Sequence, residues 1–180
     1  KERRFLDSAN KIYKIMDVIN DFNTTVQKAL SEIDPKWKQY NGIIVCGTHS
    51  PNYPESQIRL IGLARKDGTP FLGICFGHQL AAIEYARNIL GIEDATSEEW
   101  GKGTFVVRKR KEGLKVGLYD GESYWNNFEV DYSLVPDFEK DKPKNFITCQ
   151  FHPEYQSSKD NPHPLLIKFI KLCQENGNVK

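Results

Sequence analysis

Two unbroken apolar runs constrain the fold of this chain more than any other feature. Gly42-Ile43-Ile44-Val45-Cys46 and Pro70-Phe71-Leu72-Gly73-Ile74-Cys75 are both of strand length and carry no polar side chain. A strand with one face in water alternates polar and apolar residues, so runs like these belong in a sheet covered on both faces. Segments of helical spacing follow each of them. Glu55 to Lys66 points Ile58, Ile61 and Leu63 inward and stops at Asp67-Gly68; Gly77 to Leu90 stops at Gly91. Phe146 to Gln150 reads as a late strand and Leu165 to Cys173 as a closing helix. Gly103 to Arg110 and Leu114 to Tyr119 read as strands of a hairpin or meander. Leu6 to Phe22 and Thr24 to Ile33 carry helical spacing, the second halted near Pro35. Strand and helix in alternation predict an α/β fold, a three-layer sandwich around a central, mostly parallel sheet. The 180 residues suit one domain, residues 1–180.

Reactive groups in such a sheet gather at the carboxyl ends of its strands. The loops there are Gly47 to Pro54, Cys75 to Gly77, and Phe151 to Tyr155. Gly73-Ile74-Cys75-Phe76-Gly77 sets a cysteine between a strand and a helix, the thiol form of a nucleophile elbow. A tight turn lifts the side chain out of the sheet, and the flanking glycines admit strain and close approach. Free amides and the dipole at a helix start favour the thiolate, which is the attacking form, and can hold an oxyanion. A cysteine so placed can also fill a core gap, and this motif alone does not separate the two readings.

A thiol nucleophile needs a base, and the base an orienting group. The histidines are 49, 78, 152 and 163. His152 follows a strand in Gln150-Phe151-His152-Pro153-Glu154, where Pro153 fixes the turn and Glu154 can hold the imidazole. A surface turn with a chance His-Glu pair is the alternative; together with the Cys75 motif, the catalytic reading prevails. His49 lies where a substrate could touch it. His78 is expected to act outside the triad, and His163 to lie in a loop before the last helix. Cys46, Cys149 and Cys173 sit in apolar runs and read as packing residues.

Composition narrows the remaining classes. A net charge of +1 gives no field to collect nucleic acid, and the basic run Arg108-Lys109-Arg110-Lys111 reads as a solvated edge with alternating faces. No apolar stretch approaches the roughly 20 residues that cross a bilayer, and the charged opening Lys1-Glu2-Arg3-Arg4 is not a secretory signal. The chain does not begin with Met, which suits a fragment or a processed form. The four cysteines lack metal-ligand spacing, so no metal or other cofactor is expected, and their number suits a reduced, cytoplasmic protein.

Gly73-Ile74-Cys75-Phe76-Gly77-His78-Gln79 and Gln150-Phe151-His152-Pro153-Glu154 resemble the two motifs of class I, triad-type glutamine amidotransferases. Pro70 to Cys75, Ile83 to Gly91, Ala95-Thr96-Ser97-Glu98-Glu99-Trp100 and His163-Pro164-Leu165 resemble the glutaminase domain of CTP synthase in particular. The likeness is good over residues 42–100 and 146–170, patchy between them and weak before. It implies a flavodoxin-like fold and attack of Cys75 on a glutamine side-chain amide, with ammonia leaving and water hydrolysing a γ-glutamyl thioester. It also implies roles in substrate binding: Gly47 and Phe76 beside the oxyanion, Gln79 in support, and Glu99 on the α-amino group. Three departures stand out. The loop Cys46-Gly47-Thr48-His49-Ser50 has Thr48 where the family has a glycine. Trp125-Asn126-Asn127-Phe128-Glu129-Val130 has Asn127 where an arginine would grip the α-carboxylate. No synthetase domain or phosphate-binding Gly-x-x-x-x-Gly-Lys loop accompanies them. Three functions follow: a free-standing hydrolase of a larger γ-glutamyl amide, a glutaminase supplying ammonia to a separate synthetase, and a non-catalytic binding module. The departures favour the first, and the retained Cys75, His152 and Glu154 disfavour the last.

Overall fold

The computed structural model describes residues 16–17, 20 and 22–177. In chain order the elements are β1 (Met16–Asp17), α1 (Asn23–Ile33), β2 (Ile43–Val45), α2 (Pro54–Asp67), β3 (Phe71–Ile74), α3 (Phe76–Asn88), β4 (Ala95–Ser97), β5 (Thr104–Lys109), β6 (Lys115–Tyr119), β7 (Glu122–Asn126), β8 (Phe128–Val130), α4 (Phe138–Asp141), β9 (Phe146–Cys149) and α5 (Pro164–Gly177). Among the described residues the central sheet runs β1-β2-β3-β9, every pair parallel.

The two apolar runs are β2 and β3, and their alternate residues face opposite layers. Ile43, Val45 and Phe71 pack with Ile58 and Ile61 of α2 and with Leu80 and Ile83 of α3. Ile44, Leu72 and Ile74 pack with Leu30 of α1 and with Leu166 and Phe169 of α5. Both faces are therefore dry, which is why these strands tolerate no polar residue. The layers are helix, sheet, helix, as the sequence predicts. α3 is buried from Phe76 through Ala86, because a second sheet, β4-β5-β8, covers its outer side.

Three expectations are corrected. Most of the helix expected over Leu6 to Phe22 lies outside the described residues, but Met16–Asp17 is a strand paired with Ile43 and Ile44. So short a strand at a sheet edge leaves no signal that a short window can tell from a helical stripe. Leu63 is 50% exposed on α2 rather than inward. β5 and β6 do not pair with each other: β5 joins β4 and β8, whereas β6 forms a two-stranded hairpin with β7. The basic run leaves the end of β5 with Arg108 and Lys109 both exposed, and acids meet it: Arg108 on Asp131 and Arg110 on Glu129.

Candidate active site

Cys75 joins β3 to α3 with φ 52°, a left-handed backbone that a residue with a Cβ adopts only at a cost. The strain sits on the cysteine itself, and the flanking glycines serve close approach. A methyl on Gly77 would overlap the Val45 carbonyl oxygen of β2, and one on Gly73 would lie 2.8 Å from Gly77. α3 can therefore start against the sheet only if both positions lack a side chain. The Cys75 amide donates to the Cys149 carbonyl at 2.8 Å, which ties the elbow to β9.

The pairing of β3 with β9 sets Ile74 beside Cys149, so the residues just past both strands emerge together. His152 lies there, fully buried, its amide donating to the Ser123 carbonyl of β7 at 2.7 Å. Its Nδ1 is 2.7 Å from Glu154 Oε1. The second Glu154 oxygen is buried with no hydrogen-bond partner among the described residues, so the imidazole is what compensates that carboxylate. Burial alone would pull the imidazole down. The neighbouring Cys75 and the charge and hydrogen bond of Glu154 outweigh it and raise His152 to about 10. Its Nε2 makes no full hydrogen bond in the resting state, although Cys75 is near enough to act on the ring. Such contacts tighten when substrate binds. Gly47 of the loop after β2 abuts the pair: a methyl there would lie 2.8 Å from His152 Cε1 and 3.5 Å from Cys75 Cβ.

A cavity of about 280 Å³ opens beside Cys75. Thr48, Phe76, Gln79, Glu99 and Asn127, singled out from sequence, all line it, as does His49. Thr48 Oγ1 accepts from the Ser50 amide at 3.0 Å, a local turn that the family's glycine could not make. Gln79 donates to the Phe128 carbonyl at 2.9 Å and so fixes the far wall. Burial pushes Glu99 up to about 7. Among the described residues, the lining contains neither Lys nor Arg. The nearby cations are engaged elsewhere: Arg108 and Arg110 in their ion pairs, and Lys115 over the Tyr124 ring at 3.5 Å.

Other site residues were not singled out from sequence. Asn126, also on the wall, donates to the Phe128 carbonyl while its Oδ1 is buried without a partner among the described residues. The Gln150 amide donates to the Cys75 sulfur at 3.5 Å, and the thiol points to the Trp125 carbonyl at 3.7 Å. Gln150 was open to discovery, since it lies two residues before His152 on an extended segment, whereas nothing in sequence places β7 over β3. His78 stands apart from the pair, as expected. Burial, with the Lys142 charge, lowers it to about 3, and it bridges Thr148 and Tyr132 at 3.0 and 3.1 Å. His163 lies just before α5 with Nε2 3.1 Å from Glu122. Cys46, Cys149 and Cys173 are buried. Among the described residues no His, Cys, Asp or Glu cluster suits a metal, and no helix is long and apolar enough to cross a membrane.

A strained cysteine turn thus lies beside a buried His-Glu pair. Residues 11–172 match the family model for glutamine amidotransferase class-I. The chain belongs to that family. This class-I glutamine amidotransferase domain is similar to the CTP synthase of Methanoculleus marisnigri, 34% identical, with 76% of this chain and 34% of the relative covered. It is also similar to the CTP synthase of Clostridium beijerinckii, 29% identical, with 98% of this chain and 41% of the relative covered. The chain thus spans 34% to 41% of the length of these curated relatives. Its fold matches a solved structure described as the Trypanosoma brucei CTPS glutaminase domain with bound acivicin. That match has a TM-score of 0.68 and 19% identity, and covers 91% of this chain and 92% of the other.

Proposed function

We propose that this domain hydrolyses a γ-glutamyl amide larger than glutamine, with Cys75 as nucleophile, His152 as acid and base, and Glu154 as its orienting carboxylate. The sulfur attacks the γ-carbonyl carbon, and the oxyanion is met by the Phe76 amide at the start of α3 and by the Gly47 loop. The carbon–nitrogen bond breaks as His152 protonates the departing amine, leaving a γ-glutamyl thioester. Water, deprotonated by His152, then releases glutamate and restores the thiol. Glu99 and the unpartnered Asn126 Oδ1 receive the α-ammonium.

The observation that carries the choice of substrate is the cavity wall, which among the described residues has a carboxylate at Glu99 and no Lys or Arg. Free glutamine brings an α-carboxylate, which sites of this kind meet with a charge-assisted pair; Asn127 offers only neutral hydrogen bonds, about half as strong. A larger amide compensates through remote contacts that position the reacting group. A second reading, glutaminase activity feeding ammonia to a synthetase, is favoured by the CTP synthase relatives. Measurement of kcat/KM for glutamine and for N-substituted γ-glutamyl amides separates the two. Larger amides should be preferred, and Asn127→Arg should raise kcat/KM for glutamine about tenfold, or ~1.4 kcal/mol. A micromolar KM for glutamine in the native protein, impaired by Asn127→Arg, would overturn the proposal in favour of ammonia supply.

A further inference from the structure

The γ-glutamyl half of a substrate has its place between Cys75 and Glu99; the leaving amine must lie elsewhere. The group that protonates a departing nitrogen has to come within about 2.6–3.2 Å of it. Whatever that nitrogen carries must therefore pass the His152 ring, and the surroundings of that ring are aromatic. Phe22 stacks against His152 with centroids 4.6 Å apart, and Tyr155 lies 5.5 Å away on the same ring. Phe22 in turn meets His49 at 5.0 Å, Trp125 at 6.1 Å and Tyr155 at 6.2 Å, and His49 meets Trp125 at 5.1 Å. The cluster is graded in depth. Phe22 is buried, whereas Trp125 and Tyr155 are 43% and 44% exposed, so two half-open rings flank a closed one.

This grading is wider and more apolar than ammonia requires. Trp125 and His49 belong both to the cluster and to the lining of the cavity that holds Cys75, so the two spaces are continuous. Leu114, half-exposed, extends the same apolar border. Glu154, the acid in direct contact with His152, has one oxygen on Nδ1 and the other buried, so it is closed to a cationic amine.

We propose that Phe22, His49, Trp125 and Tyr155 form a leaving-group subsite for an apolar or aromatic amine, so that the substrates are γ-glutamyl arylalkylamides and their like. This rests on the hydrolase reading above and names its substrate class. Burying the amine substituent among the rings aligns its nitrogen with His152. The step balances as before: the carbon–nitrogen bond is exchanged for a carbon–sulfur bond, and the proton moves from His152 to the free amine.

The test compares kcat/KM for γ-glutamyl benzylamide, γ-glutamyl methylamide and the cationic γ-glutamyl (4-aminobutyl)amide in the native protein and in Trp125→Ala and Tyr155→Ala. The benzylamide should exceed the methylamide by about tenfold or more, the usual yield of filling an apolar pocket. The ratio should fall toward unity in Trp125→Ala and decline in Tyr155→Ala. A poorly folded variant lowers both rates and leaves their ratio alone, so the ratio reports the subsite. Equal hydrolysis of all three amides, preference for the cationic one, or an unchanged ratio in both variants would overturn the subsite and leave the hydrolase reading standing. Hydrolysis of glutamine with none of the three substituted amides touched would overturn the hydrolase reading itself.

Discussion

A substrate ammonium held by Glu99 ties activity to pH. Burial disfavours the charged carboxylate and moves Glu99 from 4.5 to about 7, so in the free enzyme it is neutral below that value and ionised above it. Binding of an ammonium needs the ionised form, and kcat/KM should therefore fall as pH drops through about 7. Glu99 is only partly buried, so solvent screening leaves about 1–2 kcal/mol of the charge interaction, or roughly five- to thirtyfold. The assay is a profile of kcat/KM and of kcat from about pH 8 to about pH 5, for the native protein and Glu99→Gln. The native kcat/KM should lose roughly five- to thirtyfold over that range, and Glu99→Gln should start near the lower plateau and lack that limb. Bound ammonium favours the carboxylate, so the limb in kcat should appear at lower pH than the limb in kcat/KM. His152, raised to about 10, stays protonated throughout and does not contribute. Alkylation of Cys75 by iodoacetamide across the same range follows the sulfur independently of Glu99. Persistence of the limb in Glu99→Gln, or an identical limb with an N-acetylated substrate, would refute the assignment.

Cys75→Ala and Cys75→Ser should abolish hydrolysis without unfolding the chain, and a glutamine-like electrophile should label Cys75 first, as peptide mapping would show. All four cysteines are buried, but Cys75 lines the cavity, whereas desolvation holds the Cys149 thiol well above its ordinary range and pushes Cys173 up to about 12. His152→Ala should cost about 10²–10⁴-fold in kcat, and at least as much as Glu154→Gln, because the ring moves the proton and the carboxylate orients the ring; near-normal turnover in His152→Ala would mean that another base serves. Gly77→Ala should lose about 1–3 kcal/mol, since its methyl would overlap the Val45 carbonyl, and the loss should appear as a Tm lower by roughly 2–4 °C for each kcal/mol. An unaltered melting curve would show that α3 need not approach β2 so closely.

The chemistry was legible wherever one short segment carries both position and function. At Cys75 the strand, the turn and the helix are contiguous, so Gly73-x-Cys75-x-Gly77 announces the elbow and its close packing together. His152 and Glu154 are likewise two residues apart at the end of one strand, and their bond follows from a single turn. The missed features are long-range. β6 and β7 bring Trp125 and Asn126 over β3 from some fifty positions away in the chain, with no local signal for it. The assumed pairing of β5 with β6 failed for the same reason: adjacency in sequence is a prior on strand pairing, and here β8 supplies the better edge for β5. Phe22 reads as the end of an apolar stripe, yet it stacks on His152 from across the molecule. The division has a functional consequence. The residues proposed for nucleophilic attack and proton transfer sit on contiguous motifs. Asn126, Asn127 and Trp125 sit on a hairpin laid across the site, where substitutions reshape the cavity without touching the elbow, the imidazole or its carboxylate. The proposed change of substrate can therefore leave Cys75, His152 and Glu154 in place, beside a cavity wall that among the described residues carries no Lys or Arg.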